Sequence, residues 1–457
     1  MRDTLRVELL AALLLAPCIA MAADTATRPV TFAKDVASIL QEKCQECHHK
    51  GTAAPMSLVT YEETRPWSKS IRERVITRNM PPWHLDQTVG IQHFQNDRSL
   101  TDAQIATIVS WVDSGAPLGN PKDMPAPKQW LDEEGWQLAK LYGQPDLVLK
   151  SEPYTMPAHG QDTWFKPLTE VPITEARWVR AVEMRPGTLA GRKIMHHVLA
   201  RLVQDESSAP ASPNAAAAGD DAPAAGGMAG AGLLMEWAIG KNYDIYRPNT
   251  GKLLLPGSHI WWELHLHAVG EQIRDHAELA VYFYPKGQEP KYRTYLTLFG
   301  ATPTFGGRLD IAPNTIAETQ AFHVLRQPAR LENFQPHMHL RGKAMSMEAV
   351  LPDGTTQMLS YVNHFSFNWM NNYIYADDDA PVLPKGTMIH ITAWHDNTRA
   401  NPNNPDPDQW VGYGDRTVDE MAHAWVNVTY ISDADYNEWA AQHRAKRPLP
   451  GVTRSRQ

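Results

Sequence analysis

Pro256-Gly257-Ser258-His259-Ile260-Trp261-Trp262-Glu263-Leu264-His265-Leu266-His267-Ala268-Val269-Gly270 opens on a Pro-Gly turn, passes two tryptophans and ends with leucine and histidine alternating. Residues two apart in a strand face the same way, so the stretch reads as a strand whose histidines share a face. It is one of many such runs. From roughly Asp146 onward, short segments rich in valine, tyrosine, tryptophan and threonine are punctuated by Pro186-Gly187, Pro256-Gly257, Asp353-Gly354 and Lys385-Gly386. That spacing predicts antiparallel β-sandwiches rather than alternating strands and helices. The stretch 205–232, dominated by Ala, Gly, Pro and Ser, cannot bury enough apolar surface to order itself and reads as a flexible surface loop.

Toward the N terminus the period changes. Val36, Ile39 and Leu40 share one helical face, and Trp67, Ile71 and Val75 share another. Thr101 and Gln104 form a capping box ahead of Ile105, Ile108, Val109, Trp111 and Val112, and Gly115 ends that helix. A proline-containing linker, Asn120 to about Pro127, separates this block from the strands. Ahead of everything, Arg2 and Arg6, the apolar run Leu9 to Leu15 and Ala20-Met21-Ala22 spell a cleavable export signal over 1–22. The run is too short to span a bilayer, and Pro17 before Cys18 fits a lipoprotein signal poorly. The expected location is periplasmic, with no transmembrane segment in the mature chain.

The 457 residues suggest about three domains. With 43% hydrophobic and 21% charged residues the composition is globular. A net charge of −8 and a pI near 6.2 leave no basic footprint for nucleic acid.

Of three cysteines one lies in the export signal; the others form Cys44-Gln45-Glu46-Cys47-His48, the C-x-x-C-H haem-attachment pattern. Two thiols within one turn can each add to a vinyl group on the same porphyrin edge, and the next histidine, His48, reaches the iron. A thioredoxin-like redox pair belongs near a βαβ pattern, whereas this pair follows a helix. A zinc site needs two further ligands nearby. Met56 and Met80 lie downstream as candidate second axial ligands. Met80 is preferred because Met80-Pro81-Pro82 is stiff and extended; His84 and His93 are outside candidates. The block resembles small c-type cytochrome domains ending, as here, in Trp111-Val112-Asp113-Ser114-Gly115-Ala116-Pro117.

The second half holds histidines in pairs. His196-His197 sits in the run Met195 to Leu202, His265 and His267 in the opening stretch, and His337-Met338-His339 in a third run; Met421 follows Asp419-Glu420. His337 and His339, two apart, can grip one ion together, as can His265 and His267. Adjacent His196 and His197 point to opposite faces of an ideal strand, so joint ligation there requires a bulge. A thioether combined with imidazoles favours cuprous copper over zinc.

Taken in order, four segments resemble the ascorbate-dependent type II copper monooxygenases, the family of peptidylglycine α-hydroxylating and dopamine β-monooxygenases. They are His196-His197, Leu266-His267-Ala268-Val269-Gly270, His337-Met338-His339-Leu340-Arg341-Gly342-Lys343 and Asp419-Glu420-Met421, within about Asp146 to Tyr430. The resemblance implies two jelly-roll-like sandwich domains facing each other across a solvent-filled cleft. It also implies two coppers: an electron-transfer copper on His196, His197 and His267, with His265 the alternative third ligand, and an oxygen-binding copper on His337, His339 and Met421. Departures limit the carry-over. Gln335 stands where the peptide-hydroxylating enzyme has a substrate-gripping arginine, and His423 and Trp425 stand where it has an asparagine and a tyrosine. Peptide amidation is therefore not expected, and the animal enzymes' disulfides have no cysteines here. The loop Asn401-Pro402-Asn403-Asn404-Pro405-Asp406-Pro407 resembles a segment of bacterial haem-containing relatives.

The expected architecture is thus multidomain: an all-α cytochrome c domain over 24–125, then two all-β jelly-roll-like sandwiches over 146–305 and 306–440. The expected function is a periplasmic copper monooxygenase hydroxylating a C–H bond of a small organic substrate with dioxygen. One covalent haem c would pass electrons inward from an external donor. A copper oxidase, or an electron-transfer or copper-binding protein, is the alternative.

Overall fold

The computed structural model describes residues 28–446 apart from 51, 53, 129–134, 210–231, 239–240, 303–307 and 370. The expected export signal, Cys18 and most of the 205–232 loop lie outside the described residues. Among the described residues no helix is long and apolar enough to cross a membrane.

The N-terminal block corrects the expectation of an all-α cytochrome c domain. Among the described residues strands hold 37% against 17% for helices, and the helices are few and short. The principal ones in this block are α1 (Ala37–Lys43), α2 (Ser68–Ile76) and α3 (Asp102–Asp113). They enclose a small core of Phe32, Val36, Leu40, Ile71, Val75, Ile108 and Trp111. The capping box forms: Thr101 Oγ1 accepts from the Gln104 N–H, and the Gln104 side chain accepts from the Thr101 N–H. Between α2 and α3, however, the chain leaves the helices. Trp83, Leu85, Ile91 and Phe94 are buried in the core of the C-terminal β half, with Leu85 bridged to Val362 and Phe94 to Tyr375. Pro81 and Pro82 bar a helix there. Gly90 lies so close to Leu359 that a Cβ would meet its carbonyl oxygen at 2.7 Å. The apolar side chains of this segment therefore find burial on a sheet.

The rest is β-sandwich-like. Its principal strands are β1 (Arg177–Pro186), β2 (Met195–Val203), β3 (Gly232–Ala238), β4 (His259–Leu266), β5 (Ala277–Phe283), β6 (Tyr292–Gly300), β7 (Ile316–Val324), β8 (Asn333–His337), β9 (Gly342–Val350), β10 (Thr356–Val362), β11 (Met388–Asp396) and β12 (His423–Tyr430). Two large cores form. One includes Val182, Met184, Val198, Leu234, Trp262, Leu264 and Leu279; the other includes Leu331, Phe334, Met345, Ile391, Val426 and Tyr430. A four-stranded sheet runs β7-β11-β9-β10.

One continuous sheet positions the site. In it β4 pairs with β2, β2 with β3, β3 with β6, β6 with β12, and β12 with β8. Four strand spacings thus separate β2 from β8, roughly 19 Å if the sheet were flat. Yet the rings of His197 on β2 and His337 on β8 lie 6.2 Å apart. The sheet therefore curls over and brings its inner face against itself. Leu199, Leu233, Leu296 and Trp425 pack together at that closure.

Candidate metal centre

At the end of α1, the Cys44 N–H donates to the Leu40 carbonyl (2.9 Å), and the Cys47 and His48 N–H groups both donate to the Cys44 carbonyl (3.2 and 3.0 Å). Both thiols are free and half-buried in one tight turn. Burial pushes the Cys44 thiol up to about 12 and the Cys47 thiol upward, so both are held as thiols. His48 Nδ1 lies 3.2 Å from the Met56 carbonyl, which assigns the proton to Nδ1 and leaves Nε2 as an acceptor. This thiol pair with a preset imidazole fits a covalently attached haem. The Met56 backbone carbonyl is the group that faces His48 Nδ1. Met80 carries no such tie; its N–H donates to the Arg74 carbonyl. His93 pairs with Asp379 (3.2 Å), and burial pushes His84 down to about 4.

The histidine pairs converge. Ligand atoms of His196, His197 and His265 all lie within 4.8 Å of one another. His265 pairs directly across from His197, while the next residue, Leu266, pairs with Met195. His196 is thus the extra residue of a bulge, which lets two adjacent histidines serve one face. His265 rather than His267 joins them because β4 ends at Leu266. His267 has left the strand, its N–H bonded to the Ile194 carbonyl (2.9 Å). His265 is oriented from behind: Nε2 meets Asp162 Oδ2 at 2.9 Å and Trp164 stacks on the ring at 4.3 Å. Its buried Nδ1 has no hydrogen-bond partner among the described residues. A carboxylate holding the far nitrogen is the usual outer-shell arrangement for a metal-bound imidazole.

The second group sits on β8, β12 and the loops between. His337 and His339 lie 5.3 Å apart between ring centroids, and His337 stacks on His423 at 4.9 Å. His339 Nδ1 is held by the Asp419 carbonyl (3.0 Å), which frees Nε2. Glu420, fully buried, accepts from the N–H groups of His339 (2.8 Å) and Arg341 (2.6 Å) and so braces the turn that carries His339 against the one that carries Met421. Burial pushes the Glu420 carboxyl up to about 7. His395, also fully buried, meets the Met421 carbonyl through Nε2 at 3.1 Å. Met421 is half-buried. The three rings His337, His339 and His423 do not close into a group as tight as the first one among the described residues.

The two groups are neighbours rather than separate sites. Besides the His197–His337 approach, Phe367 stacks on His196 (4.8 Å) and lies 6.0 Å from His339. Burial, and after it the neighbouring histidines, pushes His196 down to about 4 and His197 and His337 well below their ordinary value. Burial, then His339 and Arg201, pushes His423 down to about 3. All are neutral at pH 7, the ligating form. Asp162, Glu420 and His395 were not legible as site residues, because their roles come from tertiary contact; His423 was legible only as a departure from the family pattern.

No family model matches the chain, and no curated protein matches it. Over 66% of its length it is similar to a solved structure described as an alpha-L-fucosidase from Bacteroides ovatus, at 8% identity and a TM-score of 0.16, and it spans only 41% of that chain. Over 63% it is similar to the structure of the infectious bursal disease virus Gx strain, at 9% identity, 73% of that chain and a TM-score of 0.18. The infectious bursal disease virus VP2 subviral particle is matched at 10% identity, over 64% of this chain and 74% of that one, with a TM-score of 0.18. Scores this low leave the chemistry of the site to its own residues.

Proposed function

We propose that the protein is an exported copper-dependent monooxygenase that hydroxylates a C–H bond of a small organic substrate, with electrons delivered through a c-type haem on Cys44, Cys47 and His48. The observation that carries the reading is the convergence of histidines from β2, β4, β8 and β12, with Met421 two residues before His423 in the sequence. Copper held on His196, His197 and His265, and on His337, His339 and Met421, would supply dioxygen binding and one-electron redox chemistry; a haem held by Cys44, Cys47, His48 and Met80 would relay electrons.

The chain's own residues do the rest. Burial keeps the imidazoles neutral, Asp162 aims His265, and Glu420 holds His339 and Met421 to a common frame. Phe367 packs its ring against His196 of the first group and His339 of the second. Inserting one oxygen atom into C–H while the other leaves as water consumes two electrons and two protons; a one-electron relay would supply the electrons one at a time, and the protons would come from water.

A second reading, an electron-transfer or copper-binding protein, draws on the tight burial of the rings: His265 is 3% exposed, His337 7% and His339 4%. Protein matured in a periplasm is tested first for one covalent haem and two coppers per chain, then for product carrying oxygen from isotopically labelled dioxygen. Met421→Ala should abolish turnover while the haem spectrum persists. Unimpaired turnover in that variant refutes the placement of the oxygen-binding copper; labelled oxygen found only in water indicates a copper oxidase instead, and reduced protein that consumes no dioxygen favours the second reading.

A further inference from the structure

We propose that His423 is a ligand of the second metal centre, joining His337, His339 and Met421 in a set of three imidazoles and one thioether. The proposal rests on the copper reading above and adds a donor that neither the four sequence segments nor the family resemblance supplies.

His423 opens β12 and pairs directly across from His337 on β8. Opposed residues on one face of antiparallel strands hold their Cβ atoms about 4.5–5.5 Å apart, close enough for two imidazoles to share an ion. The two rings lie 4.9 Å apart with 27° between their planes. On its other flank β12 is pressed against Gly300 of β6, where any Cβ would run into the Ala422 carbonyl and the His423 backbone. The strand position of His423 is therefore tightly set.

Its ring nitrogens make no other polar contact among the described residues. His423 is 2% exposed, and neither Nδ1 nor Nε2 has a hydrogen-bond partner among the described residues. A neutral imidazole carries one donor and one acceptor, and buried polar groups are nearly always satisfied. The neighbouring Trp425 ring, 5.0 Å away and nearly perpendicular, offers packing but no nitrogen or oxygen acceptor. Across the strand pair His337 Nδ1 is likewise buried and without a partner among the described residues. Two residue pairs of i, i+2 spacing, His337 with His339 and Met421 with His423, thus oppose each other from adjacent chain segments. One ion between them answers the unpaired nitrogens, and the mixed imidazole–thioether set suits copper in its reduced state.

The decisive protein is the full chain carrying His196→Ala and His197→Ala, in which only the second centre can load. X-ray absorption of this protein with one equivalent of cuprous copper should show three imidazoles and one sulfur; two imidazoles and one sulfur overturns the proposal. His423→Asn or His423→Gln on that background should weaken cuprous copper in chelator competition by at least roughly tenfold, with the circular dichroism of the metal-free protein unchanged. Unchanged affinity overturns it. If the unsubstituted chain takes up no copper, the copper reading falls and the proposal with it. If it takes up two equivalents and the His423 variants bind as tightly as their parent, the proposal alone falls.

Discussion

Trp425→Ala should loosen the closure of the sheet without emptying either large core. The side chain is 7% exposed and packs with Leu199 of β2, Leu233 of β3 and Leu296 of β6. None of these four residues belongs to the two main apolar cores. A buried tryptophan covers about 150–250 Å², which at about 25 cal/mol per Å² is roughly 4–6 kcal/mol of transfer free energy. Alanine retains a little of that burial and leaves a cavity, so the expected loss is about 3–5 kcal/mol. With about 2–4 °C per kcal/mol for domains of this size, Tm should fall by roughly 6–20 °C. Urea unfolding of the metal-free protein followed by far-UV circular dichroism measures the loss, and Trp425→Phe should recover most of it. Copper titration gives a second readout. His196, His197 and His265 lie on β2 and β4 and should keep their ion, whereas the centre reached through β12 should weaken. A loss below about 1 kcal/mol, the size of an ordinary substitution, would refute the idea that this cluster docks the two halves.

Two further outcomes follow from charge. Glu236 is 1% exposed, hydrogen-bonded to Gln335, which in turn accepts from Lys241 Nζ at 3.1 Å, and burial pushes its carboxyl up to about 7 from an ordinary 4.5. A raised carboxyl contributes stability that is fully present below pH 4.5 and is lost as the pH rises through 7. The unsubstituted protein should therefore lose on the order of 3 kcal/mol relative to Glu236→Gln across that window, and parallel pH–stability curves for the two proteins would sink the assignment. Second, with the His197 and His337 rings 6.2 Å apart, two monovalent cations some 6–10 Å apart repel by about 2 kcal/mol at an effective dielectric near 20. Cuprous copper should then bind in two steps, the second roughly thirtyfold weaker, whereas a single step with two equal affinities would place the centres much farther apart.

What was legible follows the range of the interaction that decides it. Strand periods are local, and the runs around His197, His265 and His337 stand in the structure as β2, β4 and β8 because side-chain alternation is written residue by residue. The capping box at Thr101 is local too, complete within four residues. The stretch from Trp83 to Phe94 failed on both counts. Its prolines could say that no helix forms, but its burial depends on Val362 and Tyr375, almost three hundred residues away. A helical reading of the whole block was the natural error, since a few good stripes were extended across a segment that carries none.

The choice of His265 over His267 shows the same limit at the scale of one residue. Alternation places both on one face of β4 and gives no reason to prefer either. The choice is made by the partner strand. Met195 opposes Leu266 and His197 opposes His265, so the bulge that turns His196 inward also ends the pairing before His267. The feature that lets His196 and His197 act together therefore also favours His265 as their third partner, and only a register between two strands sixty-odd residues apart expresses it. His423 is the counterpart on β12. Its position was visible as a histidine two residues after Met421, but its buried ring, without a hydrogen-bond partner among the described residues, exists only once β8 and β6 have closed around it.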